Sequence, residues 1–401
     1  METGLSISGR SGGRQTQEPF YATHQGGIVT ERQKHTYFAA FDLVTEKPSE
    51  LVRLMKVWTA AAARLPRGDT GAPLGGSLDA PGADSGETMG LDASRLTMTF
   101  GFGAGVFEHE GRDRYGLRAR RPEALVDLPA FNGDQLEPAR TGGDLSVQAC
   151  ADDPQVAFHA VRQMARLANG TARLRWTQAG FIADFAAGDT PRNLMGFRDG
   201  TQNPIPRRTG ETAKTNPASL EDVVWVAGEG PSWMRNGTYL VVRRIRIMLE
   251  HWDNTDVSFQ EETMGRHKYS GAPIGGKSEF DPPDLDAVDG DGNPVIAQNA
   301  HVRLAAAASN GGAQILRRAF SYNDGVNVVA ERWPPWRQGL EYDAGLLFIG
   351  YQRDPRTGFI KIFEPMSRLD ALNQYTTHTG SGLFAIPPGV QEGGFIGQGL
   401  F

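Results

Sequence analysis

Cysteine is almost missing from this chain: Cys150 stands alone among 401 residues. No internal disulfide can form and no multi-cysteine metal or iron–sulfur centre can be built, so other groups must carry any redox chemistry. A single cysteine of this kind usually serves as a small buried hydrophobe. An excess of positive charge is missing as well. The chain has 41 Lys and Arg against 47 Asp and Glu, a net charge of −6 and an isoelectric point near 5.8. With both signs mixed along the sequence, there is no basic stripe for nucleic acid or an anionic membrane surface, which leaves a small molecule as the expected partner. No apolar run approaches the roughly 18 residues of a membrane span. Arg10 and Arg14 are not followed by a hydrophobic segment, so the first residues as written do not form a signal peptide. Either the protein stays in the cytoplasm, or this is an exported mature form with a new start methionine.

The length suits two domains. Thr36–Val44 is strand-like and rich in aromatics, and Pro48 opens a helix with Leu51, Leu54, Met55 and Trp58 on one face. Residues 66 to 90 carry too many prolines and glycines for a regular element and read as an insertion loop. Strands are expected at Leu96–Phe102, Leu145–Cys150 and Leu174–Ile182, with a helix after Asp153-Pro154 between the last two. This β-α-β-β-α-β order is the ferredoxin-like unit. It recurs at nearly the same offset: Thr238–Ile245 echoes the first strand, and Leu346–Arg353 with Asp354-Pro355 echoes the third strand and its helix start. A helix with Met366, Leu369, Leu372 and Tyr375 and a strand at Gly382–Ile386 follow. The expected fold is α+β, with two ferredoxin-like domains, residues 20–190 and 191–401, whose sheets meet in a dimeric α+β barrel-type arrangement.

Just past the expected joint lies Asn193-Leu194-Met195-Gly196-Phe197-Arg198-Asp199-Gly200-Thr201-Gln202-Asn203-Pro204. Two glycines let a flat ligand approach the main chain and present Asp199 at the tip of a turn, although the same pattern also makes an ordinary surface turn. His301 ends a long polar segment and opens Val302-Arg303-Leu304-Ala305. An imidazole delivered into apolar surroundings can ligate a haem iron, and no second ligand at zinc or di-iron spacing accompanies it. The other seven histidines read as structural or surface residues. In Leu316-Arg317-Arg318-Ala319-Phe320 two guanidiniums sit among apolar residues. If buried, they are expected to have an anionic partner such as Asp199, a propionate or a peroxide anion.

Taken together, the Gly196–Gly200 motif, Gly265-Arg266-His267-Lys268 with Gly271-Ala272-Pro273, His301-Val302-Arg303-Leu304, Leu316–Tyr322 and Gly345–Ile349 resemble the dye-decolourising peroxidase family. Leu96–Gly103 and Gly143–Pro154 extend the resemblance through the N-terminal half, and the long insertions are similar to its larger, commonly exported branch. The resemblance implies haem b in the C-terminal domain, with His301 as proximal iron ligand and Asp199 and Arg317 on the distal face. It further implies that Arg266 pairs with a propionate, that the Gly200 and Thr201 backbone lies against the macrocycle, and that Leu346 and Phe348 wall the distal pocket. Ala319 departs from the glycine of many relatives. The implied partners are hydrogen peroxide and dyes or other one-electron donors, which would return a ferryl haem to rest. No nucleic acid and no membrane span are expected, and a homo-oligomer is left open. A haem-handling protein without peroxidase activity, and a haem-free binding module, are the alternatives. Bulky donors would need a surface relay, for which Tyr322, Trp333, Trp336 and Tyr342 are candidates; ordinary packing is their alternative role.

A carboxylate base implies a pH signature, because an ordinary aspartate is ionised down to roughly pH 4, where imidazole is already protonated. Dye oxidation is therefore expected to be best in acid. A profile that peaks at neutral pH and is unchanged in Asp199→Ala would contradict Asp199 as the base.

Overall fold

The computed structural model describes residues 17–75, 79–185, 190–204, 220–330 and 338–401. In the first half, β1 (His35–Leu43), α1 (Pro48–Arg64), β2 (Thr97–Phe102), β3 (Leu145–Ala151), α2 (Pro154–Leu167) and β4 (Ala172–Phe181) follow the expected order. The second half contains α3 (Leu220–Val223), β5 (Thr238–Ile247), α4 (Leu249–Trp252), α5 (Val257–Met264), α6 (His301–Ala305), β6 (Leu316–Arg317), β7 (Phe320–Ala330), β8 (Gln338–Gln352), α7 (Phe359–Leu369) and β9 (Thr376–Ile386). The strands run β2-β3-β1-β4 in one half and β9-β5-β8-β7 in the other, the same antiparallel order twice. Phe102 pairs with Ala385 and Phe181 with Ser321, so the two sheets join along both edges and close on themselves. Closure leaves neither set of four strands with an open edge.

Phe38, Ala40 and Trp176 from the first half pack with Leu240, Val242, Leu316, Leu347, Ile349 and Phe384 from the second, filling the interior of the closed sheet. Because strand side chains alternate, the opposite face of β8 presents Leu346 and Phe348, which are only half buried. By the same alternation Leu316 enters the interior and Arg317 points the other way. Helices α1 and α2 cover the first sheet, with Leu51, Leu54, Met55 and Trp58 in its core as their spacing predicts.

One helix start differs from expectation. Asp153 does cap α2, accepting from the Gln155 and Val156 N–H groups. Asp354-Pro355, by contrast, forms a turn in which the Asp354 carboxylate takes the Arg356 N–H and guanidinium, and α7 begins only at Phe359, whose N–H goes to Gln352 Oε1 at 2.6 Å. Leu372 and Tyr375 lie beyond α7, in and after a 3₁₀ turn.

Among its described residues the insertion after α1 has no long element, as its composition implies, but it is pinned. His159 of α2 sits between its two carboxylates, with Asp84 3.5 Å from Nε2 and Glu87 3.1 Å from Nδ1. Burial alone would raise the Glu87 pKa, yet bonds from Ser85, from the backbone and from His159 hold it at about 2. A folded-state value below the unfolded one stabilises the protein above the unfolded pKa, and this contribution is lost as pH falls toward about 2. Glu87→Gln should therefore destabilise the fold near neutrality, with the difference from wild type shrinking as acid denaturation is followed from about pH 4.5 down to pH 2.

Candidate functional site

The segment carrying Asp199 is built from its ends. Asn193 Oδ1 accepts the Met195 and Phe197 N–H groups, Gly196 takes φ +84°, and Arg192 bridges to Arg198, so the chain folds back on itself. Met195 and Phe197 anchor the turn in a cluster with Ile247, Trp252, Met264 and Tyr375, and Trp252 Nε1 donates to the Met195 carbonyl. The Asp199 N–H is bonded to the Pro191 carbonyl at 2.8 Å. Gly200 follows at φ +110°, a conformation that would strain an L side chain.

Asp199 Oδ1 accepts from Arg317 Nη1 at 2.8 Å, with the two side chains 16% and 30% exposed. Asn203 fixes the relation between them. Its Oδ1 takes the Arg317 N–H at 3.0 Å, while its Nδ2 donates to the Arg317 carbonyl at 2.7 Å. The loop is thus bonded both to the backbone and to the guanidinium of β6. Thr201 is buried and donates to Glu279 Oε1 at 2.9 Å, and Glu279 Oε2 holds Arg198. Arg266 is also buried; its Nη1 donates to the carbonyls of Gly271 and Glu279, so it braces the same layer.

His301 is the first residue of α6. Its Nδ1 lies 2.6 Å from Asp370 Oδ2, and since a carboxylate can only accept, Nδ1 carries the proton and Nε2 keeps its lone pair. Asp370 is 3% exposed. Burial pulls the imidazole pKa down, but the Asp370 carboxylate outweighs it and the net shift is upward. The ring is enclosed by protein and yet 30% open, which marks it as bordering an internal hollow. No residue of α6 is fully buried, and Leu346, Phe348 and Ile315 are likewise half open. The charges of Arg317 and Asp199 are felt at His301. A carboxylate–guanidinium pair, a histidine with one uncommitted nitrogen and an apolar wall therefore border one space, and this fits a large flat apolar group with a metal at its centre.

Asp370 was not singled out in the sequence. It lies far along the chain in an unremarkable helix end, and only the fold brings it to His301. Arg318 departs from the expected anionic partner. It is buried, and its guanidinium donates to the Thr30 and Glu31 carbonyls and Gln33 Oε1; no carboxylate pairs with it among the described residues. Tyr322 is not a surface aromatic: it is fully buried beneath the Arg244 guanidinium, 4.2 Å from its ring centroid. Tyr342 is 41% exposed, and Trp333 and Trp336 lie outside the described residues.

Residues 25–182 match the family model described as Dyp-type peroxidase, N-terminal, and residues 190–391 match Dyp-type peroxidase, C-terminal. The dye-decolorizing peroxidase of Thermobifida fusca (strain YX) is 37% identical, covering 94% of this chain and 84% of that protein. A deferrochelatase of Escherichia coli (strain K12) is 34% identical, covering 94% and 86% respectively. The structure of ferric DtpA from Streptomyces lividans is similar at a TM-score of 0.83 and 40% identity, covering 96% of each chain. With both family models matched in order across nearly its whole length and relatives more than 30% identical over most of the chain, the chain belongs to the Dyp-type peroxidase family.

Proposed function

We propose how this peroxidase divides its work among its residues. The chain is a haem-dependent enzyme that reduces hydrogen peroxide and oxidises dyes or other one-electron donors. The observation that carries the assignment of roles is the Asp199–Arg317 pair, held at 2.8 Å on the hollow that His301 borders. Haem b, when bound, would supply the iron at which peroxide reacts, and the two oxidising equivalents come from the peroxide itself. His301 would hold that iron through Nε2, while Asp370 fixes the tautomer and orientation of the ring from the other side. Leu346 and Phe348 form the apolar wall that keeps water from the peroxide. The Gly200 and Thr201 backbone would lie against the macrocycle, and Arg266 would be the cation for a propionate.

Cleaving peroxide requires a proton to move from one oxygen to the other while negative charge develops on the leaving oxygen. Asp199 moves the proton, directly or through one water. Arg317, cationic at every working pH, stabilises the charge and draws peroxide in. Asn203 prevents either group from drifting, because it bonds the β6 backbone on both sides. Electrons from bulky donors enter at the surface, and Tyr342 is the exposed candidate among the described residues.

A second reading, haem handling without turnover, is favoured by the relatives named deferrochelatase. It would use His301 and the hollow but need neither Asp199 nor Arg317. Stopped-flow mixing with peroxide separates the two: Arg317→Ala should slow peroxide consumption by on the order of 10²–10³ with the haem spectrum retained. An unchanged rate in Arg317→Ala would favour haem handling.

A further inference from the structure

A third guanidinium reaches the Asp199–Arg317 pair from the other half of the molecule. Arg32 lies just before β1, on a segment fixed on both sides: Arg318 bonds the Thr30 and Glu31 carbonyls, and the Gln33 amide bonds Thr97 Oγ1 and the Arg95 carbonyl. A rigid backbone therefore presents its side chain. A Cβ added at Gly200 would lie 3.7 Å from Arg32 Nη2 and equally far from Asn203 Nδ2, so the guanidinium rests beside the bare backbone that follows Asp199.

Arg32 makes no hydrogen bond and no ion pair among the described residues. It is enclosed yet half open, like His301 and Arg317. Burial, partly offset by Asp199 and then reinforced by Arg318 and Arg317, pulls its pKa down to about 10. It is still a full cation at any working pH. Arg32, Arg317 and Arg318 thus share the neighbourhood of Asp199, which already serves Arg317. A desolvated cation whose nearest carboxylate is already bonded to another guanidinium is costly, and a bound anion would supply the charge it lacks.

We infer that Arg32 is a specificity-determining residue of the peroxide pocket: it binds a small singly charged anion beside the Asp199–Arg317 pair. Hydroperoxide, formed when hydrogen peroxide gives one proton to Asp199, is the anion of turnover, and azide, fluoride and formate compete for the same place. Peroxide turnover is then sensitive to such anions, and Arg32 accounts for a large part of that sensitivity while Arg317 keeps its own role in bond cleavage.

The inference rests on haem occupying this hollow, which the Soret band of the wild-type protein reports separately. The test is a spectral titration of the ferric holoprotein with azide, alongside carbon monoxide on the ferrous form as a neutral probe of the same space. Arg32→Gln should weaken azide by about tenfold, the loss of one charged hydrogen bond. Carbon monoxide affinity should stay as in wild type, and Arg32→Lys should recover part of the azide affinity. Unchanged azide affinity in Arg32→Gln would overturn the inference. So would an equal loss for azide and carbon monoxide, which means a collapsed pocket. Faster haem loss to apomyoglobin with azide affinity intact would also overturn it, because Arg32 would then be a propionate partner.

Discussion

The ion pair between Asp199 and Arg317 is the constraint on which the rest of the site depends. A carboxylate and a guanidinium taken partly out of water lose hydration that is recovered only with good geometry. Here the geometry is over-determined. Asn203 ties the loop to the β6 backbone with two hydrogen bonds, β6 is paired to β8, and the alternation of β6 sends Leu316 into the interior and Arg317 to the hollow. The pair cannot slide without breaking the sheet. In the proposed roles, the carboxylate and the fixed cation are therefore already in place before substrate arrives, which is how electrostatic preorganisation lowers a barrier.

The closed sheet gives this arrangement its stiffness. Arg243 and Arg244 of β5 are buried, and both are satisfied. Arg243 bonds Asp134, Ser381 and His378, and Arg244 bonds Gln178, Thr379, Asp324 and Asp343. Several of these partners come from the first half or from the long excursion before β3, so the polar contacts join parts of the chain that no local signal links. His378 accepts from Arg243, and burial first, then that guanidinium, push its pKa well below the usual value. It is a neutral structural acceptor, in contrast to His301, whose carboxylate partner leaves the opposite nitrogen available.

Much of this was legible in the sequence because its signals are local. Alternation and helical spacing marked the strands and α1, and glycine and aspartate marked the turn that carries Asp199. The duplicated order implied the pairing of two similar sheets. What was illegible depends on contacts between distant residues. Asp370 meets His301, Arg32 comes to rest beside the Gly200 backbone, and Arg318 finds carbonyls instead of a carboxylate, all through packing that composition does not encode. Asp354-Pro355 misled for a physical reason: Arg356 takes the carboxylate that would otherwise cap a helix. Tyr322 looked available for a surface relay but is sealed under Arg244.

His301 and the Asp199–Arg317 pair come from different elements of the fold, and the proposed function has them hold one haem between them. Its most direct test is the absorption spectrum of His301→Gly reconstituted with haem, with and without added imidazole. The variant should lose the wild-type ferric spectrum and regain it when imidazole fills the vacated space. A variant whose Soret band and ligand-field bands match wild type without imidazole would contradict it, because the iron would then be held by another residue.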